Sequence, residues 1–201
     1  NSGHADGTDN QDSSVIQDFG SAQILAGQIV QTNWTAGEAL HGAQIPTPVL
    51  VAKGMLEGPT LCVTAAVHGD ELNGVEVVRQ LLKRKSLRSI RGTLIAVPVV
   101  NVHGFLDQSR YLPDRRDLNR SFPGSAKGSI AARMANTFIE EIVSKADYGI
   151  DLHTGAINRS NLPQVRADLT DSRNLELAKV FGAPVIVASK ILDGSLRQCA
   201  S

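Results

Sequence analysis

TLCVTAAVHGDE, residues 60–71, is the stretch that decides the fold. Its first eight residues, Thr60 to Val67, are almost continuously apolar, as in a strand buried on both faces. Beyond Glu71 the chain runs LNGVEVVRQLL, with Leu72, Val75, Val78, Leu81 and Leu82 at helical spacing, so a helix is expected from about Leu72 to Lys85. His68 and Glu71 then occupy the turn between the carboxyl end of a strand and the start of a helix, where open α/β sheets bind ligands. Gly69 permits that turn to be tight. An imidazole and a carboxylate three residues apart at such a turn can reach one point, and together they suit zinc.

Working outward, strands alternate with helices. Ile24 to Trp34 and Pro46 to Lys53 read as strands, and Gly58-Pro59 reads as a turn before the buried strand. Thr93 to Val100 is another apolar strand, made irregular near its end by Pro98. Asp107 to Ser129 has neither helical nor strand period, and a loop of that length in a compact domain usually has a function. Ser129 opens a helix with Ile130, Met134, Phe138 and Ile142 spaced by four. Ala146 to His153 reads as a strand, Asn174 to Phe181 as a helix stopped by Gly182, and Ala183 to Ser189 as the last strand. This alternation implies an α/β fold with a mixed, largely parallel sheet and helices on both faces. Residues 1–18 are expected to form a disordered or flexible tail ahead of one domain over residues 19–201.

His153 ends its strand as His68 ends another, so a parallel sheet brings both to one edge. A lone strand-end histidine is usually structural. His68, Glu71 and His153 together make three ligands with a fourth position left for water, the pattern of a catalytic zinc. His103, near another strand end, is a weaker competitor without a carboxylate at ligand spacing, and His4 and His41 have no evident partner. Cys62 and Cys199 form no metal or redox spacing, and Cys62 reads as a small buried hydrophobe. The formal net charge of +0 gives no support for nucleic-acid or membrane binding, and no apolar run is long enough to span a bilayer. The N-terminus lacks a signal-peptide pattern, so a cytoplasmic setting is expected.

The long loop carries RYLPDRRDLNRSFPG, residues 110–124, with arginines at 110, 115, 116 and 120. Arginine grips carboxylates through paired hydrogen bonds, which suits an anionic substrate. A solvated loop with internal Asp–Arg pairs would have the same composition. Here the chain resembles a known family. His68-Gly-Asp-Glu71, Asp117-Leu-Asn-Arg120 followed by Phe122-Pro-Gly124, and Asp151-Leu-His153 occur in the order seen in the succinylglutamate desuccinylase/aspartoacylase family, a branch of the zinc carboxypeptidase-like fold. The resemblance runs from about Pro46 to Arg197.

The resemblance implies that His68, Glu71 and His153 bind Zn2+, that Asn119 and Arg120 grip a substrate carboxylate, that Arg110 polarises the scissile carbonyl, and that Asp117 orients the first zinc histidine. It implies a zinc-dependent hydrolase of amide bonds, a deacylase acting on a small anionic N-acyl amino acid. A zinc carboxypeptidase for short or cell-wall peptides shares the metal and arginine set, and a catalytically inactive metal-binding module is a third reading. The family's general base is a glutamate following a segment like Gly194-Ser-Leu-Arg197. The only glutamate here after His153 is Glu176. The resemblance therefore implies that the catalytic domain is incomplete at its C-terminus, with the family's β-rich C-terminal part absent, and that these 201 residues alone are inactive.

Overall fold

A computed structural model describes residues 17–19, 22–38, 44–157, 159–190 and 192–199. In chain order the elements are β1 (Gln17–Phe19), β2 (Ala22–Ile24), β3 (Ile29–Glu38), β4 (Gln44–Lys53), β5 (Leu56–Ala65), α1 (Asn73–Leu81), β6 (Arg91–Val97), α2 (Val102–Leu106), α3 (Ile130–Glu141), β7 (Tyr148–Leu152), β8 (Gln164–Ala167), α4 (Ser172–Phe181), β9 (Val185–Ala188) and α5 (Leu196–Cys199). The central sheet has the order β3-β4-β6-β5-β7. It is mixed, as expected: β3, β4 and β6 pair antiparallel, whereas β5 runs parallel to both β6 and β7. The small β8–β9 sheet is also parallel.

Period-two alternation sorts the side chains onto the two faces. Val49, Val51, Cys62, Ile95 and Val97 face one core with Trp34 and with Met134, Ala135 and Phe138 of α3. Ala52, Val63, Ala65, Leu94 and Ala96 face the other with Val78 of α1. Helices thus cover both faces, and β5 and β6 are buried on each, which explains their continuous apolar reading.

Several boundaries differ from the sequence reading for identifiable reasons. Ile24 to Trp34 is two strands, because Gly27 takes a φ of 76 and turns the chain. Gly58 and Pro59 lie within β5, at a shift in its register with β6, and do not form a turn before it. β5 stops at Ala65 because Ala66 adopts a φ of 49. β6 stops at Val97, ahead of Pro98, which has no N–H for the ladder. β7 is shorter than expected, and His153 follows it directly. α2, β8 and α5 were not expected. The ends of two helices hold: Ser129 caps α3 by accepting a hydrogen bond from the Ala132 N–H, and Gly182 closes α4 with a φ of 77. Of the expected tail, residues 1–16 lie outside the described residues, while Gln17 and Asp18 belong to β1.

Cys62 is 3% exposed, and its thiol is pushed up to about 12, first by burial and then by the negative charge of Asp151. Cys199 is partly buried. A thiol-specific chromogenic disulfide at pH 8 is therefore expected to label at most one of the two cysteines in the native chain and both after unfolding. Two rapid equivalents in the native chain would contradict this packing.

Candidate metal centre

The metal candidates lie beyond the carboxyl ends of adjacent strands. β5 and β7 pair in parallel with Ala65 opposite Leu152, so His68 and His153 emerge on the same sheet edge. Their ring centroids are 5.0 Å apart. Between them lies the carboxylate of Glu71, a residue only 2% exposed. Its Oε1 is 2.9 Å from His68 Nδ1, and its Oε2 is 2.8 Å from His153 Nδ1 and accepts the Thr154 N–H at 2.9 Å.

The outer nitrogen of each ring faces a second carboxylate. His68 Nε2 is 3.0 Å from Asp117 Oδ1, and His153 Nε2 is 2.6 Å from Asp151 Oδ2. Arg110 donates through Nε and Nη2 to Asp117 Oδ2 at 3.1 and 2.9 Å. Its Nη1 makes the longer contacts, 3.4 Å to Glu71 Oε1 and 3.3 Å to His68 Nδ1.

Burial alone would raise the carboxyl of Glu71, but hydrogen bonds from His153 and His68 outweigh it and hold the group well below the usual carboxylate range. Asp117 is held down to about 2 in the same way, with burial opposed by its bond to His68. Burial disfavours charge on both rings, yet the carboxylates raise His68 and push His153 up to about 10. His153 is thus an imidazolium between two acids, and the carboxylates on either side of His68 favour its charged form in the same way. A divalent cation at Glu71 would displace the proton that His153 Nδ1 directs there and supply positive charge in its place. The outer Nε2–H bonds would stay in place, and such bonds fix the tautomer a metal ligand needs.

Among the described residues, His68, Glu71 and His153 form the one group of three acid, histidine or cysteine side chains able to hold a metal, with ligand atoms within 4.8 Å of one another. Two imidazole nitrogens and a carboxylate oxygen are donors that zinc prefers. The donor set fits zinc. His103 sits in α2 and is not in the group, and His4 and His41 lie outside the described residues.

Asn119 and Arg120 occupy a 3-10 turn, Leu118–Arg120, directly after Asp117. The Asn119 backbone N–H donates to Asp117 Oδ1, and its side-chain oxygen accepts the Leu196 N–H at 2.9 Å. Arg120 is exposed and donates to the Asn119 carbonyl at 2.6 Å. Within the arginine loop Arg110 pairs with Asp117, and Arg120 is exposed. The loop is held down by Leu112, Leu118 and Phe122, all buried in the core under α3.

Two residues around the site carried no assignment from sequence. Asp151 stood inside a motif, but only its i,i+2 spacing from His153 in a strand hinted at a shared face. Asn101 is fully buried; it caps α2 through the Gly104 N–H and donates to the Val67 carbonyl, pinning α2 beside His68. An Asn two residues before a His near a strand end was the available capping signal.

Residues 57–200 match the family described as the succinylglutamate desuccinylase/aspartoacylase catalytic domain. The N-alpha-acetyl-L-2,4-diaminobutyric acid deacetylase of Halomonas elongata is 34% identical over 162 residues, which are 78% of this chain and 47% of that protein. The succinylglutamate desuccinylase/aspartoacylase from Rhodobacter sphaeroides superposes with a TM-score of 0.75 at 28% identity, over 85% of this chain and 53% of its own. The product-bound ectoine utilization protein EutE (DoeB) from Ruegeria pomeroyi gives a TM-score of 0.76 at 27% identity, over 85% of this chain and 55% of its own. The chain spans about half the length of these relatives.

Proposed function

The chain belongs to the succinylglutamate desuccinylase/aspartoacylase family, and from that premise we propose that it forms the metal-binding part of a zinc-dependent deacylase for small N-acyl amino acids. The observation that carries the proposal is the convergence of two imidazole Nδ1 atoms on one buried carboxylate, with a separate acid behind each ring. His68, Glu71 and His153 hold the ion. When bound, zinc supplies Lewis acidity to the amide oxygen and lowers the pKa of a coordinated water to about 7.

The remaining residues position the reactants. Asp117 and Asp151 keep the outer ring protons in place, so that both Nδ1 atoms stay directed inward. Arg120, exposed in the turn that follows Asp117, takes the substrate carboxylate with Asn119, which orients the amide. Arg110 is anchored on Asp117 through two donors, leaving the loosely bonded Nη1 to reach the carbonyl oxygen as its charge develops. Proton transfer from water to the leaving amine is assigned to a glutamate of the whole protein outside these residues. Glu176, exposed on α4 and bonded to Lys179, is not that group. No helix among the described residues is long and apolar enough to cross a membrane.

The test is a panel of Nα-acyl amino acids offered to the zinc-loaded whole protein, with the free amine measured. Release that stops on chelation, and an Arg120→Ala variant with KM raised about tenfold or more, are expected, because a bidentate charged contact is lost. Release of amino acids from short peptides alone would favour the carboxypeptidase reading instead. No amine from any acyl substrate would defeat the assignment.

A further inference from the structure

Behind His153 the sheet contributes one more hydrogen bond. Thr64, in β5, is 3% exposed, and its hydroxyl donates to Asp151 Oδ1 at 2.8 Å. Asp151, in β7, meets His153 Nε2 through its other oxygen at 2.6 Å. Thr64 and Asp151 are register partners across the parallel β5–β7 pair. The contact is therefore fixed by strand pairing and needs no loop. A β-branched side chain has few χ1 states, so the hydroxyl starts close to its bonded position.

We propose that Thr64 is a positioning residue for the second metal histidine, acting through Asp151. With Oδ1 held by the hydroxyl, the carboxylate cannot rotate away and Oδ2 stays on the Nε2–H of His153. Nδ1 then remains directed at the ion. On the other side of the site, Asp117 is held by Arg110 and serves His68 in the same way. The two histidines thus have matched supports, one ionic and set in a loop, the other neutral and built into the sheet. This inference rests on the zinc site proposed above.

Zinc affinity, read by competition with a chromophoric chelator, tests it. Outer partners of metal-bound histidines are worth about 10- to 100-fold in affinity, and Thr64 stands one bond further out. Thr64→Val is expected to weaken zinc roughly 3- to 10-fold, and Thr64→Ser to stay within about twofold of wild type. Asp151→Asn is expected to cost at least as much as Thr64→Val. The double variant should lose no more than Asp151→Asn alone, because the two residues act in series. In the spectrum of the metal-free chain, the downfield Nε2–H resonance of His153 should broaden in Thr64→Val and persist in Thr64→Ser. A purely structural threonine would lower Tm and leave this resonance and zinc affinity unmoved, which would overturn the proposal. Additive losses in the double variant would overturn it too, as would Asp151→Asn binding zinc like wild type, even if Thr64→Val failed to fold. A wild-type chain that takes up no zinc would defeat the zinc site instead, and the resonance comparison would still judge the Thr64–Asp151–His153 chain.

Discussion

His68→Ala is expected to bind zinc at least about 100-fold more weakly than the wild-type chain, with stoichiometry falling from one to near zero at micromolar concentrations. The substitution removes one of three ligands and leaves Asp117 without its imidazole partner. His153→Ala should behave alike. Asp117→Asn keeps all three ligands and should cost only about 10- to 100-fold. Equilibrium dialysis with metal analysis separates these outcomes, and His68→Ala with unchanged stoichiometry would remove the site. The affinity also has a defined pH dependence. His153 is protonated in the metal-free chain up to about 10, because the acids around it outweigh its burial. Zinc must displace that proton, so apparent affinity should rise with pH through the neutral range, and binding should release protons to the buffer. Binding that strengthens on acidification would contradict the imidazolium description.

The second large effect concerns Gly69. A Cβ there would lie 1.8 Å from the carbonyl carbon of Gly104 and 2.2 Å from the Phe105 nitrogen, both in the α2 backbone. Neither is the end of a flexible side chain, so α2 or the 68–71 turn must move. Moving α2 breaks the Asn101 bond to the Val67 carbonyl, and moving the turn displaces His68 and Glu71. Gly69→Ala should therefore lose about 3 kcal/mol or more of stability in urea unfolding and bind zinc poorly even when folded. An unchanged urea midpoint together with unchanged zinc affinity would show that the approach of turn to helix is looser than described.

These two residues also mark what could be read from sequence. His68 and Glu71 were legible because a buried strand, a tight turn and a helical stripe are each local patterns, and the parallel sheet then predicts that His153 joins them. Gly69 was legible as a turn glycine, but its contact with Gly104 depends on α2, a five-residue helix too short to have a period. The end of β5 was misread by two residues because nothing local marks Ala66 for a left-handed φ. Asp151 was visible only as a letter in a motif. Its bond to Thr64 depends on the β5–β7 register, which joins residues 87 apart. The two hydrogen bonds from Arg110 to Asp117 were not legible, since a charge in a loop finds its partner through tertiary packing.

X-ray absorption at the zinc edge of the zinc-loaded chain reads the ligand set itself. Two imidazoles and carboxylate or water oxygens at about 2.0–2.2 Å are expected, with no sulfur. A spectrum with sulfur at about 2.3 Å, or one showing fewer than two imidazoles, would contradict that set.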